Sequence, residues 1–278
     1  MTLIASWVAT DDKPEGKSIS AVYFCADSRF SWTVIGKTYD MGKKVYACNN
    51  YPEIFCFCGD VDFPTTTLQS LIAEIDGGLL FERNSPFELK KDAVQSFIVQ
   101  ALRQYPHEVL LQTFSIYHAS CISTEFFMAQ YKYDGKNLSM ADLTLPKVSS
   151  TVFFDGSGKP LFDKMWDAAN KKRINEQHTS RNVYNCFTCA VDAAASHPDS
   201  NIRNTVGGVP QLVGLYRKGS TQLFGIIKNN ERYIQGRRVE YNPCLNNIEW
   251  RNDNFERIDP ETMKLLSGAQ PQPFAPRE

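Results

Sequence analysis

The sequence predicts an α/β (α+β) fold in which two mostly antiparallel sheets are flanked by helix pairs, a four-layer αββα sandwich. Three observations carry this. Short apolar runs of strand character come in hairpin pairs, two amphipathic helical stretches follow the first strands, and a second helical pair precedes the last strand pair. Strands, two helices, strands, two helices, strands is the order expected when helix pairs cover stacked sheets. No linker or internal repeat interrupts residues 1–258, so one domain is expected there. Residues 259–278, rich in Gly, Gln and Pro towards the end, read as a loose tail.

Residues 2–9 (TLIASWVA) and 18–26 are expected as a strand pair around the turn residues Pro14 and Gly16. A short strand is expected at 32–38. Residues 43–48 and 53–58 form a further pair around Asn49-Asn50, ended by Gly59-Asp60. Asp60 or Asp62 is the expected N-cap of a helix through Thr65–Ile75, whose Leu68, Leu71, Ile72 and Ile75 share one face. A helix over 87–104 carries Val94, Phe97, Ile98, Ala101 and Leu102 as its stripe, and Pro106 stops it. Strands near 109–118, 123–133 and 150–154 follow, then helices at 160–171 and 180–196, then strands near 209–216 and 221–227. Residues 119–150 and 228–278 carry no function legible from the residues.

The chain has 278 residues, 42% hydrophobic and 22% charged, with a net charge of −1. That balance disfavours nucleic acid and anionic membranes as partners. No apolar run reaches a membrane span. The start, MTLIASWVATDDKPEGK, has no positive leader before its apolar run, so a cytoplasmic location is expected. The eight cysteines, Cys25, Cys48, Cys56, Cys58, Cys121, Cys186, Cys189 and Cys244, mostly sit in apolar surroundings and read as small core residues. Cys56-x-Cys58 and Cys186-x-x-Cys189 together have the thiol count of a zinc site, yet both pairs lie inside apolar elements, and no metal or cofactor is expected. His107, His118, His178 and His197 show no paired ligand spacing and are expected at surfaces or turns. Gly156-Ser157-Gly158-Lys159 fails as a phosphate loop, because Phe153 replaces the first glycine and Pro160 the Ser/Thr; Asp155 likewise excludes a nucleophile elbow.

Thr2 follows Met1. An initiator methionine before a small residue is usually removed, and a terminal threonine joins a hydroxyl nucleophile and an amine base in one residue. Asp27 ends the second strand in Ala26-Asp27-Ser28-Arg29, and Lys44 starts a later one in Lys43-Lys44-Val45. With Gly59 and Gly156-Ser157-Gly158, these positions resemble the proteasome β-subunit superfamily of N-terminal-nucleophile hydrolases, including bacterial ring-forming relatives that also begin Met-Thr. The resemblance covers residues 2–75 best and returns at Gly156-Ser157-Gly158 and Gly207-Gly208.

The resemblance implies a threonine hydrolase that cleaves amide bonds in peptides or unfolded protein and works as a homo-oligomeric ring, and it leaves open whether an unfoldase partner feeds it. It implies Thr2 as nucleophile once Met1 is lost, Lys44 beside its hydroxyl, Asp27 holding Lys44, the Gly59 N–H as oxyanion donor and Ser157 near the terminal amine. Alternatives stay open. Lys43 competes with Lys44, Asp27 is also placed for an Asx-turn or for pairing with Arg29, and a retained Met1 implies a silent subunit with an assembly or binding role. A small-molecule amidase on the same fold is a further alternative. Two departures stand out: the loop 11–18 is extended, and Asp199 precedes Gly207-Gly208 by too many residues to match the family's late aspartate.

Overall fold

The computed structural model describes residues 2–14, 16–32, 35–106, 112–170, 178–242 and 247–269. One sheet contains β10 (Ser150–Asp155), β1 (Ile4–Lys13), β2 (Gly16–Ala26), β11 (Gln211–Tyr216), β12 (Ser220–Lys228), β13 (Glu231–Ile234) and β14 (Arg237–Arg238) in that spatial order. β15 (Glu249–Arg251) pairs with β12 and with β16 (Arg257–Ile258). The other large sheet runs β5 (Val45–Ala47), β6 (Glu53–Gly59), β7 (Phe114–Ile122), β8 (Glu125–Tyr133) and β9 (Leu138–Asp142). The named pairings are antiparallel except β12 with β15. Five helices are described: α1 (Asp62–Asp76), α2 (Phe87–Gln104), α3 (Lys159–Asn170), α4 (Ser180–Ala195) and α5 (Ser200–Thr205).

Strand β1 shows why the first run lacks polar alternation. Leu3, Ala5 and Trp7 pack in a core with Phe162, Tyr184 and Phe187 of α3 and α4, whereas Ile4 and Val8 join a second core with Cys56 of β6 and Tyr117 of β7. A strand buried on both faces reads as a continuous apolar run. A third core joins Phe55, Phe57, Ile116 and Tyr131 of the second sheet to Leu68, Leu71, Val94 and Ile98 of α1 and α2. The fold is thus mixed α/β, with mostly antiparallel sheets and packed helices.

Several elements differ from expectation. Residues 32–38 are not one strand: Phe30–Trp32 (β3) and Lys37–Tyr39 (β4) form a separate hairpin that turns at Gly36, φ +61°. Helix α1 begins at Asp62, earlier than Thr65, with Val61 at its N-cap. Asp60 still serves that end, since its Oδ1 accepts Phe63 N–H at 3.1 Å, and Pro64 lies among the first residues, whose N–H groups need no helical partner. β7 starts at Phe114 and runs past 118 to Ile122, where Ser123 and Thr124, both at positive φ, turn the chain into β8. The expected strand residues 109–111 lie outside the described residues. β9, α5 and β13 to β16 had no sequence counterpart. Residues 259–269 fold back on themselves, with Asp259 N–H on Lys264 O at 2.8 Å, and on the last strand, with Leu266 N–H on Arg257 O at 2.8 Å.

His118 and His178 are buried, contrary to the expected surface or turn positions. β7 is covered on both faces, so His118 faces a core. Its Nε2 lies 2.7 Å from Glu53 Oε2, and Glu53 Oε1 takes Lys90 Nζ at 2.6 Å and Ser120 Oγ at 2.9 Å. This buried group ties α2 to β6 and β7. Cys56 lies between the sheets and Cys186 between the first sheet and its helices, so the four thiols do not converge. His107 and Cys244 lie outside the described residues. Among the described residues no helix is long and apolar enough to cross a membrane.

Candidate active site

Asp27 follows Ala26, which pairs with Ile4 on one side and Gln211 on the other. The carboxylate is fully buried and takes four donors. Oδ1 accepts Lys44 Nζ at 2.7 Å and Leu3 N–H at 2.9 Å; Oδ2 accepts Gly207 N–H at 3.0 Å and Arg29 N–H at 3.2 Å. The last contact is the local bond of an Asx-turn. The Arg29 guanidinium goes elsewhere, to Asp40, at 2.6 and 2.7 Å. Asp27 therefore makes the turn and also holds Lys44.

Lys44 is fully buried, while Lys43 is only half-buried, with its Nζ 4.4 Å from the Tyr46 ring centre. Burial pulls the Lys44 ammonium below its ordinary pKa, and Asp27 acts against that shift. The Lys44 backbone is anchored by Gln211, whose Oε1 accepts Lys44 N–H at 2.9 Å while its Nε2 donates to Gly42 O.

Thr2 sits directly before Leu3, whose N–H is on Asp27 and whose carbonyl accepts Asp27 N–H at 3.0 Å. Thr2 is fully buried, and its Oγ1 has no hydrogen-bond partner among the described residues. A buried hydroxyl without a partner costs free energy, so this one calls for an explanation. Thr2 N–H donates to Ser157 Oγ at 3.1 Å, and Thr2 O accepts Gly158 N–H at 3.2 Å. Gly156 adopts φ +95°, and a Cβ there would lie 2.1 Å from Thr2 O. The Gly-Ser-Gly turn is thus shaped by its approach to Thr2.

Gly59 has φ +100°, and an added Cβ would lie 2.2 Å from Thr113 O. Its neighbour Cys58 donates to Asp155 Oδ2 at 3.3 Å, which also accepts Tyr117 OH at 2.6 Å. Gly156 follows Asp155, so the ends of β6 and β10 are joined one residue before each glycine. Burial and the Asp155 charge push the Cys58 thiol well above its ordinary pKa, so it stays protonated as the donor.

Asp199 stands apart from this site. It caps α5, accepting Asn201 N–H at 2.8 Å. Gln211 was not singled out in the sequence, and Asp155 was named there only as excluding a nucleophile elbow. Gln211 carried a usable signal, being the one amide-bearing residue opening the apolar strand QLVGLY.

No protein-family model matches the chain, and no curated protein matches it in sequence. Solved structures do match its fold. Anbu (ancestral β-subunit) from Yersinia bercovieri has a TM-score of 0.53 at 13% identity, over 87% of this chain and 89% of that one. An Anbu (Gly-1) mutant from Hyphomicrobium sp. strain MC1 has a TM-score of 0.52 at 16% identity, over 79% and 86%. The likeness is one of fold: the chain is built like these Anbu β-subunit structures.

Proposed function

We propose that this protein is a threonine hydrolase built on a four-layer αββα sandwich. It cleaves amide bonds in peptides or unfolded protein and works as a homo-oligomer. The observation that carries the reading is the buried Lys44–Asp27 pair, tied through the Leu3 N–H on Asp27 to the residue next to Thr2, whose hydroxyl has no partner among the described residues.

In this reading removal of Met1 turns the Thr2 nitrogen from an amide into an amine. The hydroxyl oxygen attacks the substrate carbonyl carbon, and its proton passes to that amine. The lysine charge favours the developing alkoxide and keeps the amine unprotonated by repulsion. Asp27 holds the ammonium in place through the 2.7 Å bond. The Gly59 N–H is assigned to the oxyanion, where a fixed donor acts most strongly. Collapse of the tetrahedral adduct breaks the C–N bond, and the leaving nitrogen takes the proton back from the Thr2 amine. Water then attacks the ester, delivering one proton through the amine to the threonine oxygen and releasing the acid.

Intact mass reads the first requirement, loss of the Met1 residue mass. Thr2→Ala is expected to lower peptide turnover by at least about 10³-fold and abolish labelling by a threonine-directed electrophile. Labelling that survives Thr2→Ala rules out this nucleophile. The complete burial of Thr2 favours a second reading, a silent subunit that retains Met1 and serves assembly or binding. A retained Met1 with no turnover selects it.

A further inference from the structure

Thr205, the last residue of α5, is buried, and its Oγ1 donates to Ile202 O at 3.2 Å. That bond to the carbonyl three residues back is common for a helical threonine. The same oxygen also lies 3.4 Å from Ser157 Oγ, which accepts Thr2 N–H at 3.1 Å. The donors run one way, from Thr2 N–H to Ser157, from Ser157 to Thr205, and from Thr205 to the Ile202 carbonyl. Ser157 has a single proton and a second acceptor, Thr2 O, also at 3.4 Å. Both acceptors draw that proton away from the Thr2 nitrogen, and Thr205 is the one a substitution can remove.

We propose that Thr205 is a positioning residue for the α-amine of Thr2, a role that rests on reading Thr2 as an N-terminal nucleophile. Taking the Ser157 proton leaves a Ser157 lone pair turned to the nitrogen. The amine then gives one N–H to Ser157, and its own lone pair stays available for the Thr2 hydroxyl proton. No proton travels along the hydroxyls; they orient the base and add no charge. The titratable and charged groups on the elements meeting this corner include Asp27 at the end of β2 with Lys44 on it, Asp155 on β10 with Cys58 and Tyr117 on it, and Arg29, whose Nη1 reaches Val206 O at 3.4 Å; Arg203 on α5 is turned to His197 O and Lys159 on α3 to Asp163. Asp199 supplies no carboxylate here, because it caps the far end of α5.

The test uses the full chain after loss of Met1. Thr205→Val keeps the shape and removes the hydroxyl. It is expected to lower kcat about tenfold with KM unchanged, the scale of one oriented hydrogen bond at a base. Thr205→Ser is expected to restore kcat to within about twofold of the starting protein, since it returns the same group. Titration of the ¹⁵N-labelled Thr2 amine by NMR gives a readout independent of turnover. The valine variant should titrate at lower pH, because a Ser157 proton freed to turn towards the amine competes for its lone pair, and the serine variant should return it. Unchanged kcat and titration in Thr205→Val, or a serine variant as poor as valine, overturn the role of Thr205 alone, provided the parent loses turnover on Thr2→Ala. A parent that keeps Met1, or is indifferent to Thr2→Ala, overturns the nucleophile reading and this role together.

Discussion

Four donors on Asp27 are what make a carboxylate tolerable at the buried end of β2. A buried ion pair gains little over apolar residues, but breaking one strands a charge. Asp27→Ala leaves the Lys44 ammonium, Leu3 N–H and Gly207 N–H without their acceptor. It is expected to cost about 3–5 kcal/mol in urea unfolding, and the double change Asp27→Ala with Lys44→Met should recover much of that loss. A single-variant loss below about 1 kcal/mol would show that water reaches the pair. Asp27 and Lys44 were legible because a charged residue at the end of an apolar strand is a chemical signal. The choice of Lys44 over Lys43 was not, since only register decides which of two neighbouring lysines faces inward. Thr205 stayed silent for a related reason: its part depends on a serine 48 residues away in sequence, and nothing local marks such a meeting.

Elements were legible in proportion to their length and two-sided burial. β1, β2, β6, α2 and α4 show long apolar runs or stripes, whereas β9, β13 to β16 and α5 span only two to six residues each, too short for a period to emerge. The hairpin of β3 and β4 was misread as one strand because Trp32 to Ile35 looks apolar, yet Trp32 and Ile35 are exposed. The strands after β12 bear directly on the site. Lys228↔Glu231 and Ile234↔Arg237 flank two-residue turns, Asn229-Asn230 and Gln235-Gly236, with positive φ at both central positions, as tight hairpins require. The Gln235-Gly236 tip reaches the candidate site. Gln235 O accepts Gln211 Nε2 at 3.4 Å, and a Cβ on Gly236 would lie 2.4 Å from Ser28 Cβ. Gly236→Ala is therefore expected to destabilise by about 1–3 kcal/mol, combining left-handed backbone strain with overpacking. Adding Ser28→Gly removes the contact with Ser28, leaving that with Asp40 O at 2.9 Å, and should return part of the loss, as a double-mutant cycle in thermal unfolding would measure. Additive losses would mean that the tip does not press on Ser28.

At the scale of the whole molecule, the buried groups of the apolar cores set how stability answers to pH. Cys25, Cys48, Cys56 and Cys58 are buried, and burial raises each thiol above its ordinary value of 9.0. A thiol kept protonated in the fold but free to ionise in the unfolded chain contributes stability that is whole below the unfolded pKa. That contribution is lost as pH rises from there towards the folded pKa. Lys44 works in the other direction: its lowered pKa means the unfolded chain holds the proton more tightly, so stability rises with pH between the lowered value and 10.5. Lys43, also pulled down by burial, acts with Lys44, while Cys121 and Cys189 join the four thiols, so the net slope above pH 9 should be downward, by about 1.4 kcal/mol per pH unit for each thiol that ionises only on unfolding. Unfolding free energies measured at intervals from pH 8 to 10.5 test this, with Cys56→Ala expected to lose its share of the slope, apart from its packing cost at neutral pH. A slope that stays the same in Cys56→Ala would mean this thiol ionises within the fold. The inter-sheet core that Cys56 shares with Cys58, the residue that joins β6 to Asp155, would then be more open to solvent than its burial implies.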